Sequence, residues 1–260
     1  MRAQRVRNAI LQSLGESDAK TFARLFEELE PVALERGVML VAPRSHAASA
    51  YFVESGIVTL VAQTNDGSSI EVGLVGREGM AGIGDVLGHD VLPYRLVVQL
   101  PGLAYAVPKE VIREHILSCS TLHGLLMDYS QRMLHQLAQS AVCNRFHTSV
   151  QRLSRWLLLT AERAETARLE LTHEFVAQMV GAPRSAVSLA AATLRGQGAI
   201  DYRRGVLTIK DFKRLQATAC ECFQAVSQPN RGEDVPVRAT ARIKPQSSGG
   251  RNRVHARGKR

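Results

Sequence analysis

The spacing of apolar positions changes character twice along the chain. Ile10, Leu11 and Leu14 recur at helical spacing, and Ser17 offers an N-cap for a second helix over 18–29. From about residue 30 the runs become short and β-branched, bounded by Gly, Pro, Ser and Asn, at 38–41, 50–54 and 56–63. The runs 57–61 and 70–75 flank Asn65-Asp66-Gly67-Ser68, whose Asp-Gly pair tolerates the positive φ of a tight turn, so the stretch predicts a hairpin. Strands at 95–100 and 103–107 follow, parted by Pro101-Gly102. Many short strands with regular turns predict an antiparallel sandwich or barrel over about 30–108.

After Pro108, a residue tolerated at a helix start, the period turns helical. A long helix is expected over 119–146, with Leu122, Leu126, Tyr129, Met133, Leu137 and Ala141 at spacings of three and four. Such a stripe either packs a helix on its own domain or seats a second copy. Its length and its place between two domains favour a dimer seam. Thr148 or Ser149 caps the next helix, whose Val150, Leu153, Trp156, Leu157 and Ala161 face a second core.

The most informative segment is 171–211. Thr172 caps a helix that carries Phe175, Val176, Met179 and Val180 on one face and stops at Gly181. Pro183 opens another helix. Ala177, small, stands four residues before the turn glycine, and Val187, branched, six after it. Close helix crossing, a sharp turn and a lock on the second helix together make the helix-turn-helix pattern. Residues 199–209 then form a hairpin with Arg203, Arg204 and Gly205 at its tip, which makes the motif winged.

Charge supports the same assignment. Residues 1–144 carry 12 basic and 15 acidic side chains, 145–215 carry 12 and 6, and 226–260 carry 9 and 2. A basic back half either points to an anionic partner, nucleic acid first, or serves solubility alone. The end of the chain is rich in Pro, Gly, Ser and Arg and reads as a disordered basic tail. No run of about 18 apolar residues exists, so no membrane partner is expected. Four scattered cysteines do not make a disulfide scaffold and suit a reducing cytoplasm. Cys220-x-Cys222 lacks partners at metal-site spacing, and His115, His123 and His135 are too far apart to build a site, so no metal is expected. No nucleophile-elbow pattern points to an enzyme.

The segment 171–211, together with Tyr51-Phe52-Val53-Glu54-Ser55-Gly56-Ile57-Val58 and Val75-Gly76-Arg77-Glu78-Gly79-Met80, resembles the Crp/Fnr superfamily of bacterial regulators over about residues 10–215. The resemblance implies an α+β chain: an N-terminal antiparallel β-roll sensor (10–115), a dimerisation helix (116–146), a C-terminal winged helix-turn-helix (147–215) and a basic tail (216–260). It implies a homodimer seated through Leu122, Leu126, Tyr129, Met133 and Leu137, with double-stranded DNA and RNA polymerase as further partners. By the resemblance, Arg184, Ser185 and Ser188 open the reading helix, Thr172 and His173 meet phosphates, and Arg203 and Arg204 form the wing tip. Ser185 and Leu189 stand where the family pattern has a glutamate and a second arginine, so a typical family operator is not expected.

In the sensor, Gly79, Met80, Gly82, Gly84 and Arg95 are the candidate effector contacts, the glycines as an amide nest. The Gly-Glu and Arg-Ser pairs that hold a cyclic nucleotide in the family are missing. This argues against cyclic AMP and leaves the effector unidentified. Two other functions stay open: a small-ligand receptor with a vestigial DNA-binding part, and a non-specific nucleic-acid binder driven by the tail.

Overall fold

A computed structural model of the chain describes residues 6–45, 47–88 and 93–227. Two short helices, α1 (Ala9–Ser17) and α2 (Ala19–Glu27), open it. The cap between them is Asp18, which accepts from Thr21 N at 3.0 Å, and not the expected Ser17, which ends α1. A six-stranded antiparallel sheet follows: β1 (Glu30–Leu34), β2 (Met39–Val41), β3 (Ser49–Gln63), β4 (Ser69–Val75), β5 (Met80–Ala81) and, after the short helix α3 (Ile83–Val86), β6 (Arg95–Pro108). The long strands β3 and β6 pair along most of their length. β4 and β5 add to β3, and β1 and β2 to β6.

The sequence breaks both long strands in two; the structure bends them instead. Register shifts run from Val53 to Val58, where Gly56 takes φ +80°. A Cβ on Gly56 would lie 2.6 Å from Leu100 O, and one on Gly102 would lie 2.1 Å from Ser55 O. Only glycines let the two backbones come this close, so the residues that read as strand breakers permit the bend that rolls the sheet.

Helices α4 (Lys109–Ser118) and α5 (Ser120–Phe146) return along the sheet. One core fills the space between α1, α2, α4, α5 and one sheet face, with Phe52, Leu60, Val75, Met80, Ile112 and Leu126 among its buried members. This corrects the expected dimer seam. Leu122, Leu126, Tyr129 and Met133 are buried in this core, and Leu137 is packed against it. Their stripe is spent within the chain. The large apolar side chains that α5 leaves exposed are Met127, Leu134, Val142 and Phe146.

The remaining chain forms α6 (Ser149–Ala164), β7 (Arg168–Glu170), α7 (His173–Val180), α8 (Arg184–Gly196), β8 (Ile200–Arg203), β9 (Val206–Ile209), α9 (Phe212–Thr218) and α10 (Cys222–Ser227). Thr148 and Gln151 make a reciprocal capping box at the start of α6. A second core joins α6, α7, α8 and the β7-β9-β8 sheet to Ile57, Val61, Leu74 and Leu100, which point from the other face of the large sheet. The segment 216–227, expected to belong to the tail, instead completes α9 and forms α10. His135 Nε2 meets Ala225 O at 3.0 Å, and Ser227 Oγ donates to Glu162 Oε1 at 2.8 Å, so α10 spans α5 and α6. The expected tail beyond it, 228–260, lies outside the described residues.

Candidate nucleic-acid interface

The helix-turn-helix forms as its spacing predicts. Thr172 accepts from Phe175 N at 3.1 Å at the start of α7, and Gly181 ends it in the left-handed region at φ 65°. Ala177 and Val187 are buried between the helices. The first turn of α8 projects from the body: Arg184 and Ser185 are exposed, and Ser188 is half-buried. Among the described residues Arg184 has one loose partner, Glu174 Oε2 at 3.9 Å from its Nε. Leu189, 70% exposed, extends the same surface.

The wing is a tight hairpin. Arg203 pairs with Val206, leaving Arg204 and Gly205 as a two-residue turn with φ of 50° and 78°. Positive φ at both turn positions matches the right-handed twist of the strands and is cheap only where the second residue is glycine. Arg203 and Arg204 are both exposed. Arg203 Nε reaches Asp201 Oδ2 at 3.1 Å, and Arg195 Nε reaches the same carboxylate at 3.7 Å, tying the wing to the end of α8.

His173 has a role that spacing did not reveal. Its Nδ1 lies 3.1 Å from Ser188 Oγ, and its ring meets Tyr202 edge-on at 4.3 Å. One imidazole therefore joins α7, α8 and the wing. Burial, together with the Arg184 charge, holds His173 below the ordinary histidine range and keeps it neutral at neutral pH. Two residues expected to touch DNA thus hold each other in place. Tyr202 Oη donates to Leu171 O at 2.6 Å and locks the other side of the corner.

The reading element is braced against the sheet. Gln178 Nε2 donates to Ser69 Oγ at 2.6 Å, and Ile70 fills the space above Gly181, where a Cβ would lie 2.2 Å from its Cδ1. Below this contact Trp156 Nε1 donates to both oxygens of Glu71 at 3.1 Å, and Thr59 Oγ1 donates to the same carboxylate at 2.8 Å. Glu71 is 9% exposed. Burial raises its pKa to about 7, against the pull of those hydrogen bonds and of Arg155 and Arg163. No local sequence signal marks Glu71, because its partners are far along the chain.

In the sensor two of the candidate effector residues, Gly79 and Met80, serve packing. Gly79 lies under the Tyr129 ring, where a Cβ would be 2.2 Å from the ring edge, and its N–H donates to Gly76 O at 3.1 Å. Met80 is buried in β5. Gly82, at φ 93°, turns the chain into α3, within which Gly84 lies. Arg95 begins β6 opposite Val61. The Gly79 amide and the Met80 side chain are therefore not free to meet a ligand.

The cysteines also depart from expectation. Cys220 and Cys222 do have partners: the end of α5 brings Cys143 and His147 to them, with one ligand atom of each residue within 4.8 Å of the others. Among the described residues no helix is long and apolar enough to cross a membrane.

Residues 31–118 match the cyclic nucleotide-binding domain, and residues 151–218 match the Crp-like helix-turn-helix domain. No curated protein matches the chain in sequence. Among solved structures, FixK2 from Bradyrhizobium japonicum superposes with a TM-score of 0.64 at 14% identity, over 74% of this chain and 98% of that one. The c-di-GMP-responsive global regulator CLP of Xanthomonas campestris gives 0.62 at 17%, over 75% and 100%. A CRP-family transcriptional regulator from Thermus thermophilus gives 0.59 at 19%, over 72% and 96%. At these identities the likeness is one of fold.

Proposed function

We propose, for a chain that belongs to the Crp/Fnr family of transcription regulators, that it acts as a homodimer reading a two-fold-symmetric DNA site through the first turn of α8. The observation that carries this is the exposed Arg184-Ser185 turn, held in fixed relation to α7 and the wing by His173. A helix N-terminus of this kind enters the major groove, where a guanidinium pairs with both acceptors of a guanine. Thr172 at the start of α7 and Arg203 and Arg204 on the wing are suited to phosphates, which position the protein without specifying sequence.

The dimer in this proposal uses the outer face of α5. Leu134 and Phe146 are 62% and 73% exposed, and Met127 and Val142 continue the row at helical spacing. A second copy would cover these side chains and set two α8 helices on one face of the duplex. The sensor acts through a ligand other than cyclic AMP, or through none.

Selection of bound duplexes from a random pool by the purified chain tests the proposal. A two-fold motif with half-sites about one turn apart, roughly 34 Å, is expected. Recovery of duplexes with no shared motif would overturn it and leave a non-specific binder.

A further inference from the structure

We propose that Cys143, His147, Cys220 and Cys222 form a tetrahedral site for one thiophilic divalent cation, zinc above others, at the joint between α5 and α6. The cysteines come from two segments 77 residues apart, the end of α5 and the turn into α10. Cys143 Sγ lies 3.6 Å from Cys220 Sγ, and Cys222 Sγ lies 3.5 Å from His147 Nδ1. Zinc with bonds of about 2.3 Å to sulfur and about 2.0 Å to nitrogen has tetrahedral edges of about 3.8 Å and about 3.5 Å. Two of the six edges already have these lengths, and the other four are no longer than 4.8 Å. An iron–sulfur cluster spreads its thiolates around several metal atoms, and a group whose ligand atoms all lie within 4.8 Å is too tight for that.

The surroundings fit an ion better than three inert thiols. Cys143, Cys220 and Cys222 are buried in a cluster of their own, outside both apolar cores. The other ring nitrogen of His147 lies 3.2 Å from Glu221 Oε1, which leaves Nδ1 to face the sulfurs as an acceptor. A carboxylate behind a histidine is the usual outer support of a metal-bound imidazole. Burial pushes the Cys222 thiol up, and Gln139 Nε2, which donates to its Sγ at 3.0 Å, pulls the other way. Three thiolates and a neutral imidazole around a divalent cation leave one negative charge. The buried Arg155 is placed to balance it: its charge acts on Cys143 and Cys222, and its Nε has no hydrogen-bond partner among the described residues.

Place in the fold gives the site a consequence. His147 is the residue between α5 and the Thr148 cap of α6, so an ion there fixes the angle at which the DNA-binding domain leaves the long helix. The same ion ties the last segment of that domain to its first. Four protein ligands leave no open position, which makes the site structural.

The test uses the full chain, untagged and purified under reducing conditions without chelator. Elemental analysis should find about one zinc per chain, in keeping with a closed site. The metal-free reduced protein should bind Co2+ with the intense visible bands and sulfur-to-metal charge transfer of a tetrahedral thiolate site, and zinc should bleach them. Zinc should also raise the thermal midpoint. Cys222→Ser should weaken the charge-transfer band and loosen cobalt binding, and Cys119→Ser, outside the cluster, should leave both unchanged. The cobalt spectrum of the unaltered chain decides the matter even if a variant fails to fold. A weak octahedral cobalt spectrum, or metal-free protein holding a Cys143–Cys220 disulfide that reduction does not convert to a cobalt-binding form, would overturn the proposal.

Discussion

Arg184 stands in solvent with one loose ion pair, so little holds it back from a new partner. If it reads a guanine, Arg184→Ala costs about 1–3 kcal/mol on the selected site and relaxes preference at one base pair per half-site. Titration of cognate and scrambled duplexes checks this; equal losses on both would make Arg184 a phosphate contact. Glu71 is the opposite kind of residue, buried and fully partnered. Its ordinary value of 4.5 is raised to about 7, so the folded chain holds a proton that the unfolded chain has already released. The burial penalty is absent below about pH 4.5, grows as pH rises towards 7, and is complete above it, at about 3 kcal/mol. Glu71→Gln keeps an acceptor for Trp156 and Thr59 and removes the titration. Urea unfolding at about pH 5.5 and about pH 8 should show the parent losing stability as pH rises and the variant losing less, with most of its gain at the higher pH. Equal slopes in the two proteins would mean that Glu71 is ionised in the fold at both values.

At the scale of elements, α5 shows what periodicity does and does not reveal. It puts Leu122, Leu126, Tyr129 and Met133 on one face, which is right, but it does not say what covers that face. The cover is the chain's own sheet and helices α1 and α4, and a second, sparser row, Met127, Leu134 and Val142, stays outside. Leu134→Glu should therefore give monomers of nearly unchanged stability, whereas Leu126→Ala should cost about 2–5 kcal/mol and leave the dimer intact; sedimentation and denaturant melts separate the two. The helix-turn-helix was fully legible because its small, glycine and branched positions lie within eleven residues of chain and act on each other. The cysteine group was not, because neither Cys143-x-x-x-His147 nor Cys220-x-Cys222 is complete until the fold joins them. The glycines of the 79–84 segment were legible as special positions, but not in purpose. Tyr129, fifty residues on, occupies the space beside Gly79, and Gly76 O takes its amide. Calorimetry with cyclic AMP should accordingly give no saturable heat, and a micromolar dissociation constant would show a cradle built elsewhere.

Over the whole molecule, sensor and reader share one sheet. Its inner face belongs to the sensor core, and its outer face, through Ile57, Val61 and Leu74, belongs to the core of the DNA-binding domain. Any displacement of β4 therefore bears on Gly181 and Trp156 together, through Ile70 and Glu71. This arrangement leaves sequence reading to α8, while much of the positive charge lies at the far end of the chain. Residues 226–260 hold 9 basic and 2 acidic side chains, and truncation after Ser227 spares every described helix. Charge without base contacts adds affinity by releasing counterions, at a slope of about 0.9 in log affinity per log salt for each phosphate neutralised. The truncated chain should bind cognate and scrambled duplexes more weakly by the same factor, with a flatter salt dependence and an unchanged ratio between them. Titrations at several salt concentrations measure all three quantities. A loss confined to the cognate duplex would give residues beyond Ser227 a part in reading sequence, and this division between a reading helix and a charged tail would fail.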